Sequence, residues 1–304
     1  MLALGWRLAP IALFHLAPLS LDALAWGRLF PPWSRPRFLT LLRLRWIRES
    51  INSLLPVAGV GGDVAGARLV HKAGAPGAEA AASIVVDITI GAAAQLLFVL
   101  SGVLALLTRS NDGAASDVAR AALIGVGLFA AGIAGFVLVQ HNSMFSVFAR
   151  LASRVAPREW MTEFEGHASA VDGAVTAIYR RRLAFLSAIA LRFAGCFAGA
   201  GEVWLIMAFL KRPLSLTDAF IIESLSSGVR AAAFMVPGAL GAQEGGIVVF
   251  AALFGVPADM ALAVALAKRV RELALGVPGL IAWQWIEGRH LLRGGKDQAG
   301  PAPR

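Results

Sequence analysis

Apolar runs alternate with short charged stretches along most of the chain, and these runs predict helices. Long apolar windows cover residues 8–30, 77–108, 118–140, 183–210 and 218–236. About 20 predominantly apolar residues are needed to cross the hydrocarbon core of a bilayer. The pattern therefore predicts an all-α fold, a polytopic bundle of transmembrane helices.

A basic amphipathic pattern covers residues 37–49. Phe38, Leu41, Leu42 and Trp46 fall on one side of a helical projection, and the arginines fall largely on the other. Such a helix lies on a membrane surface or caps a bundle. Arginine-rich loops mark the cytoplasmic side of a membrane protein. We therefore expect this helix at the cytoplasmic surface.

The most polar internal stretch, residues 141–182, predicts a cytoplasmic helical segment lying against the membrane. Residues 1–288 are expected to form the membrane domain, and residues 289–304 a basic, disordered tail. Near the end of the predicted membrane domain, the apolar window 257–286 is interrupted by the charged sequence KRVRE. Two arrangements remain open: a cytoplasmic turn between two short apolar segments, or a charged cluster that projects into a cavity and contacts a head group or Glu244.

Two segments combine proline, glycine and a carboxylate within apolar surroundings. Pro56 is followed by glycines and by Asp63, and Pro237 is followed by glycines and by Glu244. In both, the acid comes seven residues after the proline. Proline ends the preceding helix, and the backbone groups that it frees cannot face lipid.

A pair of proline- and glycine-broken segments in corresponding halves of a membrane protein indicates a transporter binding site. We therefore predict two re-entrant segments, and an inverted repeat is one arrangement that would relate them. The alternative is two tight turns between ordinary spans, with both acids at the water interface. The candidate substrate-binding residues are Arg48, Glu49, Asn52, Pro56, Gly59, Gly61, Asp63, Arg68, Asp87, Arg230, Pro237, Gly241, Gln243, Glu244, Arg269 and Arg271.

Three further sets of charges within apolar windows require partners, since a charge at the bilayer centre costs about 2.5–3.5 kcal/mol on insertion scales. Asp87 could share a cavity with Glu79 and Gln95. Arg192 and Glu202 lie too far apart on one helix to pair with each other. Glu223 and Arg230 share a helix face, either as packing contacts or as part of a site.

Composition supports a membrane protein. The chain has 304 residues, of which 58% are hydrophobic and only 15% are charged. A soluble domain carries about 25% charged residues. The net charge of +9 is typical of basic cytoplasmic loops beside anionic lipids, so we expect no nucleic acid as a partner. The sequence indicates a multi-pass protein of a bacterial-type inner membrane. It predicts no metal site and no cofactor.

The segments RESINSLLPVAGVGGDVAGARL and VPGALGAQEG resemble the flippase-like membrane domain of the lysylphosphatidylglycerol synthase family. LFHLAPLSLDALAW and LAKRVRELALGVPGLIAWQW are most similar to the branch associated with hopanoid biosynthesis. The resemblance covers roughly residues 6–288. It implies a helical membrane fold with two re-entrant regions, and handling of a hopanoid, another isoprenoid-derived lipid or a phospholipid.

The resemblance also raises two expectations about the ends of the chain. Synthases of this family carry a soluble aminoacyl-transfer domain after the membrane part, and this chain ends at residue 304, so that activity is expected to be absent. The resemblance also leads us to expect a further hydrophobic span before residue 6, but the sequence has only a few residues there.

Three functions remain as hypotheses. The main one is a lipid transporter, in which Asp63 and Glu244 act with Arg48, Arg68 and Arg230 on a polar head group. A lipid-modifying enzyme would use Asp63 or Glu244 as a general base. A scaffold would bind lipid-biosynthesis proteins through residues 141–182.

Overall fold

The computed structural model describes residues 8–55, 61–109, 113–142, 144, 158–233, 236 and 239–297. These residues form helices and no strand, which confirms the all-helical fold within the described ranges. The helices are α1 (Leu8–Phe14), α2 (Leu16–Leu29), α3 (Phe38–Leu54), α4 (Gly61–Lys72), α5 (Gly77–Arg109), α6 (Gly113–His141), α7 (Arg158–Arg180), α8 (Arg182–Phe209), α9 (Leu216–Ala232), α10 (Ala242–Ala252) and α11 (Ala258–Asp297).

Four stretches of the described chain are long and apolar enough to cross a membrane: Ala9–Leu29, Gly77–Arg109, Leu123–Gln140 and Arg182–Phe209. They coincide with four of the predicted spans. The fifth prediction, a span over residues 218–236, differs from the structure. That region forms α9, a helix of 17 residues that ends at Ala232 and carries charged side chains.

The first span contains a local interruption at His15, between α1 and α2. Pro18 has no backbone N–H, so it cannot donate to the carbonyl group of Phe14 in the preceding turn. The chain nevertheless stays nearly helical, because the His15 N–H donates to the Ile11 carbonyl oxygen at 3.2 Å. The interruption places the imidazole between neighbouring helices.

The prediction of a surface helix over residues 37–49 is wrong. α3 packs against α2, α4 and α11, and its buried side chains include Leu41, Ile47 and Arg48. Arg45 and Arg48 point inward because carboxylates of other helices supply their partners. A helical projection of one segment cannot reveal such partners.

Of the two arrangements left open for KRVRE, the cytoplasmic turn is wrong, because α11 is one continuous helix of 40 residues. It runs through Lys268 and Glu272, residues that are only 4% and 8% exposed. It also continues through Pro278 to Asp297. The first nine residues of the predicted disordered tail are therefore helical.

The polar segment predicted over residues 141–182 is described in part. α7 covers Arg158–Arg180 and packs against α5, α6 and α8, and the residue Tyr179 donates a hydrogen bond to Gln140 at 2.8 Å. Residues 143 and 145–157 lie outside the described ranges.

Two parts of the chain share one order of elements. In each, a 17-residue helix (α3 or α9) precedes a short helix (α4 or α10) and a long one (α5 or α11). The short and long helices are joined by a Gly-x-Pro turn, at residues 74–76 and 255–257. Gly74 and Gly255 have φ angles of 105° and 67°, which suit glycine. The two turns are separated by the same number of residues as the two prolines and the two acids of the Pro-to-acid segments.

The two parts exchange contacts in a reciprocal way. α3 of the first packs against α11 of the second, and α9 of the second packs against α5 of the first, while α2 packs against α8. Close approach depends on glycine in both exchanged contacts. A Cβ atom at Gly102 would collide with Ser224, and one at Gly279 would collide with Ser50. This packing brings the charged faces of α3, α8, α9 and α11 together.

Candidate functional site

A polar cavity of about 280 Å³ lies where the two parts meet, and we call it the central cavity. Side chains from α2, α3, α5, α8, α9, α10 and α11 contribute to its lining. The polar and charged lining residues are His15, Asp22, Glu49, Ser53, Gln95, Arg192, Cys196, Glu202, Glu223, Ser227, Arg230, Gln243, Lys268, Arg271 and Glu272.

Ion pairs between α9 and α11 form one wall of the central cavity. Arg230 donates to Glu272 at 2.7 Å and to the Gln243 amide oxygen at 2.7 Å. Lys268 Nζ lies 2.6 Å from both carboxylate oxygens of Glu223. Glu223 and Arg230 therefore share a face, as their spacing predicted, and both face the cavity.

Glu244 lies at the first turn of α10, beside this wall. Its carboxylate accepts from the Gly241 N–H at 2.8 Å and from Arg269 at 2.6 Å. Burial alone would raise the pKa of Glu244, but the hydrogen bond from Arg269 and the helix N-terminus lower it below its ordinary value. Arg269 also donates to Glu272 at 2.7 Å, so Glu244 connects to the wall through Arg269.

His15 occupies another part of the cavity, between three helices. Its Nε2 atom lies 3.1 Å from Glu49 on α3, and its Nδ1 atom lies 3.4 Å from Glu202 on α8. Arg271 on α11 places Nη1 at 2.8 Å and 2.9 Å from the two ring nitrogens. Elements far apart in the sequence thus meet at this imidazole.

A third set of charges joins α2, α3, α5 and α8. Asp22 pairs with Arg192 at 2.6 Å and with Arg45 at 2.8 Å. Arg45 also donates to Asp87 at 3.1 Å. Asp87 is completely buried, and Arg48 donates to its carboxylate at 2.5 Å. The separate partners of Arg192 and Glu202 agree with the expectation that these two cannot pair together.

Asp63 belongs to this third set. Arg48 Nε donates to its carboxylate at 2.5 Å, and the Asn52 amide lies 3.4 Å away. Asn52 also accepts from the Gly62 N–H at 2.8 Å and so fixes the start of α4. Asp63, Arg48 and Asn52 line a side cavity of about 300 Å³, which shares Glu49 and Arg192 with the central cavity.

Several buried polar atoms of the central cavity have no hydrogen-bond partner among the described residues. They include Oε1 of Glu202, Nε of Arg271 and Nη1 of Arg192. Glu202 and Arg271 lie 2.9 Å apart, yet the N–H is not directed at the oxygen. Arg192 Nη1 likewise lies 2.6 Å from Asp22, so these atoms belong to ion pairs that lack hydrogen-bond geometry, which is costly for buried charged groups.

An apolar groove of about 400 Å³ runs between α5, α6, α9 and α10 and shares Gln95 with the central cavity. Gln95 donates to Ser227 at 2.8 Å, and both side chains line the central cavity. The larger apolar lining residues of the groove are Leu96, Val99, Val126, Phe129, Leu225, Val229 and Phe250, and Ala121, Ala231 and Ala232 also line it. A charged cavity and an apolar groove therefore adjoin at Gln95.

The structure brings together only part of the predicted site. Glu49, Arg230, Gln243 and Arg271 line the central cavity. Arg269 and Glu244 lie beside it, and Gly241 caps α10. Arg48, Asn52, Asp63 and Asp87 form the buried set around the side cavity, and Gly61 begins α4. Pro56, Gly59 and Pro237 lie outside the described residues.

Two predicted groupings are wrong. Asp87 does not share a cavity with Glu79 and Gln95: Glu79 accepts from Ser34 at 2.5 Å, and Gln95 lies in the central cavity. Arg68 does not join the other arginines. It is 63% exposed and pairs with Glu287 at 3.3 Å.

Other lining residues were missed as site residues. His15 and Asp22 lie within the first apolar window, residues 8–30, and their spacing did not mark them as site residues. Lys268 and Glu272 were visible as charges in an apolar window, which is a usable signal for a membrane site. Their partners could not be found, because Glu223 and Arg230 lie on a different helix.

One of three comparisons with known proteins gave a match. A family model described as the lysylphosphatidylglycerol synthase TM region matches residues 1–279. No curated protein and no solved structure matches the chain. The match covers all of the central cavity, the side cavity and the apolar groove.

Proposed function

Because the chain belongs to the lysylphosphatidylglycerol synthase transmembrane-region family, a family of multi-pass membrane proteins, we propose that it is a lipid transporter of the bacterial inner membrane. The observation that carries the proposal is the shared lining of the central cavity and the apolar groove at Gln95. A lipid has the same two-part character, since a polar head group is joined to a hydrocarbon chain.

The head group occupies the central cavity in this proposal. The cavity offers donors, such as Arg230 and Lys268, beside acceptors, such as Glu223 and Glu272. A ligand that both donates and accepts hydrogen bonds fits this mixed lining better than a simple anion does. Polyol and zwitterionic head groups have this chemistry. A hopanoid, another isoprenoid-derived lipid and a phospholipid all remain substrates to be tested.

The hydrocarbon chain lies in the apolar groove. The groove borders Leu123–Gln140, a helix stretch apolar enough to face lipid, so a chain could enter from the bilayer without crossing a polar barrier. The function assigned here is movement of the head group through the protein while the hydrocarbon chain stays in the apolar groove. No aminoacyl transfer is assigned.

The repeated order of elements supports a transporter. Transporters commonly bind substrate near the bilayer midplane, between two repeats, at helices that are broken there. We propose that α3 with α4, and α9 with α10, enter the membrane as re-entrant pairs related by an inverted repeat. The central cavity then lies between the two repeats.

Reconstituted proteoliposomes test this function. Movement of fluorescent phospholipid, polyol-headed lipid and hopanoid reporters between leaflets is compared for the wild type, Glu272→Gln and Asp63→Asn. The Arg68→Gln variant is the control, since Arg68 lies outside the cavity lining. We expect Glu272→Gln to abolish movement. Folded wild-type protein that moves no reporter would contradict a transporter of these lipids and favour an enzyme or a scaffold.

A second pair of variants tests the groove. Ala121 and Leu128 lie on the same helix, but only Ala121 lines the groove. Ala121→Trp should fill the groove and slow lipid movement, whereas Leu128→Trp, at a position 72% exposed, should not. Equal rates in both variants would remove the groove from the transport path.

A further inference from the structure

We propose that His15 is a proton-binding site that couples lipid movement to protons, an inference that rests on the transport function proposed above. The imidazole is the side chain whose ordinary pKa lies closest to physiological pH. His15 lies in the central cavity, and its ring contacts α3, α8 and α11.

Hydrogen-bond geometry distinguishes the two protonation states of the ring. A neutral imidazole has one N–H donor, whereas the protonated ring has two. His15 has a carboxylate at each nitrogen, Glu49 at 3.1 Å and Glu202 at 3.4 Å. Only the protonated ring can donate to both.

The neutral ring favours a different partner. One of its nitrogens is then an acceptor, and Arg271 places Nη1 within 2.9 Å of it. Arg271 can donate to a neutral ring but repels a protonated one. Loss of the proton therefore exchanges a hydrogen bond to a carboxylate for a hydrogen bond from Arg271.

The balance of charges in the central cavity also points to His15 as the proton-binding site. The other facing charges form opposite-sign pairs, which are Asp22 with Arg192, Glu223 with Lys268, and Arg230 with Glu272. Around His15 there remain two carboxylates, Glu49 and Glu202, and one guanidinium, Arg271. A proton on His15 balances these three charges, whereas its loss leaves an excess negative charge in a mostly buried site, which is unfavourable.

The contacts of His15 also explain how a proton could act on the structure. Glu49 lies on α3 of the first part and Arg271 lies on α11 of the second, whereas Glu202 lies on α8 between the two parts. Protonated His15 holds Glu49 and Glu202 together across the central cavity. Deprotonation releases one of them, and a head group that supplies a donor can then take its place.

The first experiment measures the proton directly, without any lipid substrate. The protein is placed in nanodiscs of phosphatidylethanolamine and phosphatidylglycerol, with 15N-labelled histidine and spin labels at the exposed residues Leu39 and Leu240. Cys196 is replaced by alanine so that only the labels react. Ring protonation and the distance between the labels are followed from about pH 5 to 9.

We expect the distance to change with the same midpoint as the titration of His15. His15→Gln should remove the change, and His15→Lys, which keeps a positive charge, should hold the low-pH distance at every pH. His71→Gln is the control, since His71 is exposed and bonded to the Ala75 carbonyl oxygen. A distance that does not depend on pH, or a change that persists in His15→Gln, would overturn the proposal.

The second experiment separates coupling from transport. Lipid movement in proteoliposomes is measured with and without a pH gradient. In the wild type the gradient should alter the rate, and in His15→Gln it should not. Equal gradient dependence in both proteins would overturn coupling while leaving the transporter intact. If no lipid moves although the distance still responds to His15, the transport function fails and the coupling to lipid fails with it.

Discussion

Asp63 and Glu244 occupy corresponding places, each in the first turn of a short helix that follows a broken segment, yet their surroundings differ. Asp63 is 8% exposed, and its partner Arg48 is itself fixed by the fully buried Asp87. Glu244 is more accessible, and its partner Arg269 connects to the wall of the central cavity. One acid is part of a buried framework, and the other lies beside the candidate site.

This difference shows that equal spacing along a chain does not give equal roles. Around Asp63, charges from α3 and α5 of the first part and from the neighbouring helices α2 and α8 neutralise each other within the protein interior. In the second part, Arg230 and Glu272 pair while facing a cavity. A framework charge should affect stability when it is removed, whereas a cavity charge should affect transport more than stability.

The largest effect on stability is expected for Asp87→Ala. The variant leaves Arg45 and Arg48 buried without their shared carboxylate. Removal of one partner from a buried ion pair costs about 3–5 kcal/mol in the free energy of unfolding. Thermal unfolding of the purified protein in detergent measures this loss. A melting temperature equal to that of the wild type would contradict the framework role.

The next effect tests whether the two parts use equivalent packing. Gly102→Ala and Gly279→Ala each place a Cβ atom against a serine of the partner helix. Overpacking of this kind costs about 1–3 kcal/mol, and we expect similar losses for both variants in the same unfolding assay. Gly132→Ala is the control because its Cβ atom would meet nothing within 4 Å. A loss in only one of the first two variants would break the reciprocity of the contacts.

A smaller loss is expected for Glu244→Ala. The change removes the acceptor for the Gly241 N–H and the ion pair with Arg269. Loss of a helix cap costs about 0.5–2 kcal/mol. Glu244→Gln keeps an acceptor and should be more stable than Glu244→Ala, while lipid movement should fall in both. A loss of stability as large as that of Asp87→Ala would make Glu244 another framework residue.

The smallest effect is expected for Arg68→Gln. Arg68 is largely exposed, and its ion pair with Glu287 also includes Lys72 at 3.0 Å. Exposed ion pairs contribute about 0–1 kcal/mol, so neither unfolding nor lipid movement should change measurably. A clear loss of lipid movement would indicate that Arg68 acts in the candidate site, although it lies outside the cavity lining.

The sequence by itself determined the local structure. Apolar runs located the four membrane-crossing stretches, since their length and composition are local properties. The proline and glycine positions located both interruptions, because these residues act on the backbone at their own place in the chain. The repeated Pro-to-acid spacing also identified two corresponding segments, and the matching order of helices around them agrees with that correspondence.

The tertiary structure alone decided which charges meet. The contact between His15 and Arg271 joins residues 256 positions apart, and that between His15 and Glu202 joins residues 187 positions apart. α11 continues through KRVRE because Glu223 and other acids on distant helices neutralise its charges. Periodicity places a side chain on one face of a helix, but it does not say which helix will pack against that face. The pairing of helix faces depends on the packing of the whole bundle. This packing brings charges from separate helices together around one cavity.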